Sequence, residues 1–185
     1  MLYTRKGDKG TTKTFACDQR VSKSSVVAEA LGALDETNSF LGLARARTQG
    51  KFFEIEGEKI KFPDLILEVQ QNLFIIQAEV AGATLSMDAE KVNRVEKIVD
   101  EIEKILPPIK NFFISGATKD GAVLDIARTL ARRAERRVVD VKEEGKIKIS
   151  PETLAYLNRL SSLLYALARV ASHLEGAEEI KPDYK

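Results

Sequence analysis

Apolar residues recur at helical spacing in five stretches of the chain, separated by segments rich in glycine, proline and charge. The first stretch runs from Ser25 to Arg47, where Val27, Leu31, Leu34 and Leu41 follow at steps of four, three and seven and Asn38 falls on the same stripe. Beside it lies a line of small residues, Ala28, Gly32, Ser39, Gly42 and Ala46, interrupted only by Asp35. Small side chains at this spacing let a second helix approach closely, and a carboxylate on such a face calls for a cation. A second helix is predicted from Asp64, read as its N-cap, to Leu85. A third runs from Asp88 to Leu106, where Pro107-Pro108 ends it. The fourth starts near Lys119 and stops at Glu143 before Gly145. The fifth opens at Ser150-Pro151, an N-cap followed by proline, and reaches Leu174. Residues 51–62 instead alternate Phe-Glu-Ile-Glu around Gly57 and then Lys-Ile-Lys-Phe, which reads as a small β-hairpin insert, a mobile loop being the alternative. With no repeat or low-complexity linker, the pattern predicts one all-α domain over residues 1–185: an N-terminal loop (1–23), a five-helix bundle (25–174) and a tail (175–185).

Composition supports a self-sufficient core, because 44% of the 185 residues are apolar and a chain of this length buries enough of them without staples. Cys17 is the only cysteine and His173 the only histidine. An internal disulfide, a multi-cysteine metal site and a two-histidine zinc or di-iron site are therefore excluded. Any triad of the Ser-His-Asp kind would have to run through His173, near the C-terminal end of the last helix, where a structural or solvated histidine is the commoner case. The sequence has no transmembrane-length apolar run and no signal-peptide core, so a soluble, cytoplasmic protein without a membrane partner is expected.

The net charge of +1 argues against a dedicated polyanion binder, but it conceals two basic clusters. Residues 1–23 carry six basic groups against two acidic ones, and residues 128–137 carry five arginines against Glu135. The first cluster, Tyr3-Thr-Arg-Lys-Gly-Asp-Lys-Gly-Thr-Thr-Lys-Thr14, combines glycine, hydroxyl and lysine, a composition suited to cradling a triphosphate. It lacks the GxxxxGK[ST] pattern of a P-loop, and Gly7-Asp-Lys-Gly10 reads equally as a tight turn between short strands. In the second cluster Arg128, Arg132 and Arg136 stand at successive i,i+4 positions and form one ridge. Ala127, Ala131, Ala134, Val138 and Val141 make an apolar stripe beside it, and Glu135 is placed to hold a ridge arginine. A solvated basic helix or an RNA-contacting helix is the alternative, although the alanine stripe beside the ridge points to a packed seam bordering a cleft. Asn158, on the same side of the last helix as Ser161 and Tyr165, is either a structural hydrogen bond or a ligand contact.

In combination these segments resemble the PduO-type ATP:cob(I)alamin adenosyltransferases. Three blocks carry the likeness: Tyr3–Thr12 with Arg20-Val-Ser-Lys23; Glu29-Ala-Leu-Gly-Ala-Leu-Asp-Glu-Thr-Asn-Ser39; and Ala127–Arg137 with Tyr156-Leu-Asn-Arg-Leu-Ser161. The similarity covers most of the chain and is weakest in the hairpin insert and the tail. The resemblance implies a ferritin-like five-helix bundle of the cobalamin adenosyltransferase kind, assembled as a homotrimer with ATP and the corrinoid bound between subunits. It implies transfer of the 5′-deoxyadenosyl group of ATP to the cobalt of cob(I)alamin, giving adenosylcobalamin and triphosphate, with Mg²⁺ bound through ATP. Because Co(I) is the nucleophile, the protein needs none of its own.

Carried over by position, the ATP contacts are Thr4, Arg5, Lys6, Gly7, Thr12, Lys13, Lys23, Arg132, Arg133, Glu135, Arg136 and Asn158, with Asp8 and Lys9 shaping the same loop. Arg132 and Arg136 would neutralise triphosphate charge, and Asn158 would stand near the Mg²⁺. Asp35 and Arg128 would pair across the subunit interface and are counted with the catalytic set. Phe112 corresponds to an aromatic that keeps a lower axial ligand off cobalt, a core phenylalanine being the alternative. The chain departs from the family pattern at Lys6, Lys13, Cys17-Asp18, Ser115-Gly116-Ala117 and Ser162. A cob(II)alamin reductase and an adenosylcobalamin-dependent mutase are the implied partners. The competing functions are a nucleic-acid-binding bundle using residues 128–137 and an adenosylcobalamin carrier.

Overall fold

The computed structural model describes residues 3, 5–14 and 20–185. Five helices, α1 (Val26–Arg47), α2 (Phe62–Val80), α3 (Ala89–Ile105), α4 (Lys119–Glu144) and α5 (Pro151–Leu174), make the bundle expected from the apolar spacing. Two antiparallel strand pairs accompany it, β1 (Thr11–Lys13) with β2 (Arg20–Ser22) and β3 (Phe52–Ile55) with β4 (Glu58–Lys61). Helix α4 packs along both α5 and α1, α2 lies on α1, and α3 lies on α5. Leu34 and Leu41 of α1, Leu73 and Ile76 of α2, Leu124 of α4 and Leu160 of α5 are fully buried in the shared core.

The helix starts follow side-chain chemistry. Ser25, Asp88, Thr118 and Ser150 each accept a hydrogen bond from the backbone N–H three residues on, satisfying an orphan donor of the first turn. Gly145, at φ 74°, ends α4 in the left-handed conformation that glycine adopts without strain. Helix α2 departs from the reading: Asp64 lies inside its first turn, Lys61 is the N-cap, and the helix stops at Val80. The stop comes from Gly82, which at φ 91° takes the chain out of the helix five residues before Leu85. The insert is a hairpin, closed by Glu56-Gly57 with φ of 51° and 84°, the positive pair that a tight two-residue turn requires.

Buried polar groups join the layers. Tyr156, fully buried in α5, accepts a hydrogen bond from Asn72 Nδ2 of α2 at 3.0 Å, and burial pushes its phenol well above the ordinary value. Glu79 at the end of α2 accepts from the backbone N–H of Ser150 at 2.7 Å and from the Thr153 hydroxyl, so one carboxylate anchors the start of α5. Asp120, 4% exposed, is held by Arg47 at 3.1 Å and by Lys51, and Lys51 reaches Glu175 at 2.5 Å. Burial alone would raise the Asp120 carboxyl, but the hydrogen bonds from Lys51 and Arg47 outweigh it and hold it below the ordinary carboxylate value. This network ties the ends of α1 and α5 to the start of α4.

No described helix is long and apolar enough to cross a membrane. His173 is exposed at the end of α5, consistent with a solvated residue.

Candidate active site

The two basic clusters stand on separate elements, one on the N-terminal turn and strands and the other on α4. In the N-terminal segment the chain turns at residues 5–10, with Arg5 at φ 57° and Gly10 at φ 76°, and β1 then pairs with β2 so that Lys13 lies opposite Arg20. The Gly7–Gly10 turn therefore precedes the strand pair and does not connect it. Arg20 binds the turn together, donating from Nε to Thr11 Oγ1 at 2.8 Å and from Nη2 to the carbonyls of Lys6 and Thr11 at 2.6 Å each. Lys23 closes it: its backbone N–H reaches the Gly10 carbonyl at 3.0 Å, and a Cβ on Gly7 would stand 3.2 Å from its Nζ. Arg5, Lys6, Asp8, Lys9, Lys13 and Lys23 are exposed around this turn, while Gly7 and Thr12 are half-buried. Thr4, Cys17 and Asp18 lie outside the described residues. Strands β1 and β2 contact chiefly each other and have no extensive contact with the arginine helix.

On α4 the alanine stripe behaves as read. Ala127, Ala131, Ala134 and Val138 are fully buried, and Val141 nearly so. The arginines beside it divide into two sets. Arg128 donates from Nε to Asp125 at 3.0 Å and lies 5.7 Å from the Tyr165 ring centre. Arg133 pairs with Glu36 of α1, and Arg137 with Asp140 at 3.4 Å. Arg132 and Arg136 form no ion pair or hydrogen bond with any described side chain, and both are exposed. Glu135 does not hold a ridge arginine. It accepts from Asn158 Nδ2 at 3.0 Å across the α4–α5 seam, and Asn158 Oδ1 accepts from Arg159 at 2.8 Å. Asn158 is thus a fixed amide at the exposed edge of that seam.

Arg128 and Arg132 line a cleft of about 880 Å³, near the upper end of the range for small-molecule sites. Its other walls are α5, through Ser161, Ser162 and Tyr165, the loop between α3 and α4, and the C-terminal tail. Burial pushes the Tyr165 phenol above its ordinary value. Phe112, in the α3–α4 loop, is 81% exposed against this cleft, which overturns the alternative of a core phenylalanine. Gly116 keeps φ 106°, so the departures at Ser115 and Ala117 spare the one position of that triplet whose backbone needs glycine. Arg136 lies one turn beyond Arg132 and outside the lining of the cleft.

Asp35 is exposed on α1 and makes no ion pair within the described residues, and Gly32, Ser39 and Ala46 of the small-residue line are exposed with it. Inside the protomer α1 packs through Leu34, Thr37, Leu41 and Ala44 instead. Residues that sequence reasoning missed are Arg169, Glu179 and Arg20. Arg169 was marked by its position, a lone cation inside the apolar run Leu167-Ala-Arg-Val-Ala171, where burial demands partners.

Fold and site together define a helical-bundle protein with a large cleft bordered by one unpaired arginine, Arg132, and by an exposed aromatic loop. The cobalamin adenosyltransferase family model matches residues 2–171, and the chain belongs to that family. It is 36% identical over 186 residues to the corrinoid adenosyltransferase of Bacillus subtilis, covering 97% of this chain and 91% of that protein. It is 36% identical over 179 residues to the corrinoid adenosyltransferase PduO of Citrobacter freundii, and spans about half the length of that relative, 50%. Among solved structures, a phenylalanine-to-histidine variant of the PduO-type ATP:corrinoid adenosyltransferase of Lactobacillus reuteri, complexed with cobalamin and ATP, superposes with a TM-score of 0.86. Identity is 26%, covering 100% of this chain and 97% of that one. An arginine-to-lysine variant of the enzyme from the same organism, complexed with ATP, superposes with a TM-score of 0.84 at 27% identity.

Proposed function

We propose that the chain transfers the 5′-deoxyadenosyl group of ATP to the cobalt of cob(I)alamin. The electron pair of Co(I) attacks C5′, a Co–C bond forms, the C5′–O bond breaks, and the leaving oxygen departs with triphosphate. The observation that carries this reading is the division of the α4 arginines. Three are paired with carboxylates, while Arg132, which lines the cleft, and Arg136, one turn beyond it, have no carboxylate partner among the described residues. Cations left available in this way can stabilise the charge that develops on a departing polyphosphate once the bound nucleotide positions them. They also argue against the nucleic-acid alternative, because the paired arginines are not available as a phosphate-tracking stripe.

In this reading the Arg5–Lys13 turn, Thr4 and Lys23 cradle the triphosphate, Arg132 and Arg136 neutralise it, and Arg133, Glu135 and Asn158 fix the nucleotide against the α4–α5 seam. Phe112 packs against the corrin and discourages a lower axial ligand. Among the described residues no cluster of three or more carboxylate, histidine or cysteine side chains is arranged to hold a metal ion. In this reading Mg²⁺ would enter on the triphosphate, near Asn158, and would supply charge neutralisation there.

Because β1 and β2 have no extensive contact with α4, the two clusters would meet most simply between subunits of a homotrimer. The exposed small-residue face of α1 supports such an approach, with Asp35 reaching a neighbour's Arg128, of which only Nε is engaged by Asp125. A cob(II)alamin reductase would supply the electron, a mutase would consume the product, and the cytoplasm is the expected compartment. Subunit mixing tests this. Lys23→Ala and Arg132→Ala chains, each inactive alone, recover about one quarter of wild-type activity when mixed equally into trimers, because one interface in four then carries both intact halves. No recovery, with both variants trimeric, would overturn the shared site.

A further inference from the structure

The most fully satisfied buried charge beside the cleft is Arg169, 7% exposed in α5. A buried guanidinium is strongly unfavourable unless its donors are met, and the partners that meet this one come from two irregular segments. Nη2 donates to the Pro107 carbonyl at 3.0 Å and to Glu179 Oε2 at 2.8 Å, and Nε donates to Glu179 Oε1. The guanidinium carbon lies 5.5 Å from the centre of the Phe113 ring. The same two segments are joined once more by Ile114 N–H donating to the Ile180 carbonyl at 2.8 Å. Phe113 is thereby drawn inward while its neighbour Phe112 stands exposed against the cleft.

We infer that Arg169 is a positioning residue for the corrinoid half of the site: it clamps the α3–α4 loop to the C-terminal tail and so sets where Phe112 stands. This rests on the reading of the cleft as the corrinoid site. The tail is then a wall of the active site, contributing Glu179 to the clamp and Lys181 and Tyr184 to the lining. Arginine is required because its planar fork binds the Glu179 carboxylate through two nitrogens while still reaching Pro107, which a lysine ammonium does not reproduce.

The test compares full-length wild type, Arg169→Lys and Glu179→Gln by two readouts. Amide exchange of the free protein is expected to accelerate about tenfold at Ile114 in both variants, with the α4 amides unchanged, the mark of local opening. In the transfer assay KM for cob(I)alamin is expected to rise about fivefold or more while KM for ATP stays within about twofold, a split that separates positioning from general loosening. An unchanged corrinoid KM overturns the inference. So does a parallel rise in both KM values accompanied by faster exchange throughout α4 and α5. If wild type itself transfers nothing, the proposed function fails, and exchange at Ile114 alone decides whether the clamp exists.

Discussion

The α4–α5 seam carries the cleft on one side, and at Gly121 the two helices leave no room for a side chain. A Cβ built there would lie 2.4 Å from Ser172 Oγ, 3.0 Å from Thr118 Oγ1 and 3.1 Å from the Ala168 carbonyl. Two of these three neighbours cannot retreat freely. Thr118 Oγ1 is the N-cap acceptor for the Gly121 N–H, a cap worth about 1 kcal/mol, and the Ala168 oxygen is backbone, so relieving it shifts α5. Ser172 can rotate, but only by giving up its 3.3 Å hydrogen bond to Thr118, a loss of about 1 kcal/mol. Against this, alanine gains at most about 1 kcal/mol of helix propensity. Overpacking typically costs about 1–3 kcal/mol, so Gly121→Ala is expected to destabilise by about 1–2 kcal/mol. For a chain of this size that lowers Tm by roughly 2–8 °C. The assay is thermal unfolding followed by far-UV circular dichroism at one fixed protein concentration, with Ser172→Ala and the double variant alongside. Removing Ser172 Oγ takes away the shortest contact, so the double variant should recover at least about 0.5 kcal/mol relative to additivity. A Gly121→Ala protein as stable as wild type, or additive behaviour of the pair, would refute the close approach.

Three further outcomes are expected. Arg132→Ala should lower turnover by about 10²-fold, the scale of losing a positioned charge donor, with the fold intact by circular dichroism; near-normal turnover would contradict its role. Asp120→Asn should cost about 2 kcal/mol at neutral pH in denaturant unfolding, below the ~3–5 kcal/mol of a fully buried pair because Lys51 and Arg47 are 35% and 45% exposed. Since the folded-state Asp120 carboxyl lies below its ordinary value and the Lys51 amine above its own, the network's contribution is full from about pH 4 to about pH 10. It fades as pH falls through the folded carboxyl pKa or rises through the folded amine pKa, and the acid part should vanish in Asp120→Asn. Asp35→Ala should weaken trimer assembly in sedimentation measurements as well as activity, and an intact, fully active trimer would refute its interfacial placement.

The helices were legible because their periodicity and their caps agree. Ser25, Asp88 and Ser150 each sit just before an amphipathic run and cap it in the structure. The end of α2 was not, because apolar periodicity continues to Leu85 while the stop depends on a single backbone angle at Gly82. The ridge on α4 was legible as a set of positions, but which of its arginines keep their charge depends on Asp125, Glu36 and Asp140. One of those partners is on another helix. Likewise Glu135 is turned away from its ridge neighbours by Asn158, a residue that only the α4–α5 packing brings near. The Arg169 clamp was missed because it depends on a tail with no periodicity to read, although a lone cation within Leu167-Ala-Arg-Val-Ala171 was a signal that could have marked it. The small-residue face of α1 was visible too, but that Gly32, Asp35, Ser39 and Ala46 are left exposed is read only from the structure.

The central claim, that this bundle moves an adenosyl group from ATP to reduced cobalt, is tested most directly by one anaerobic reaction. Wild-type protein, Mg²⁺–ATP and chemically reduced cobalamin are mixed, and the Co(I) spectrum is followed while triphosphate is quantified. The account predicts protein-dependent loss of Co(I), one triphosphate released per Co–C bond formed, and neither diphosphate nor orthophosphate as the first product. Persistence of the Co(I) spectrum with intact ATP, or nucleotide cleavage without Co–C bond formation, would contradict it.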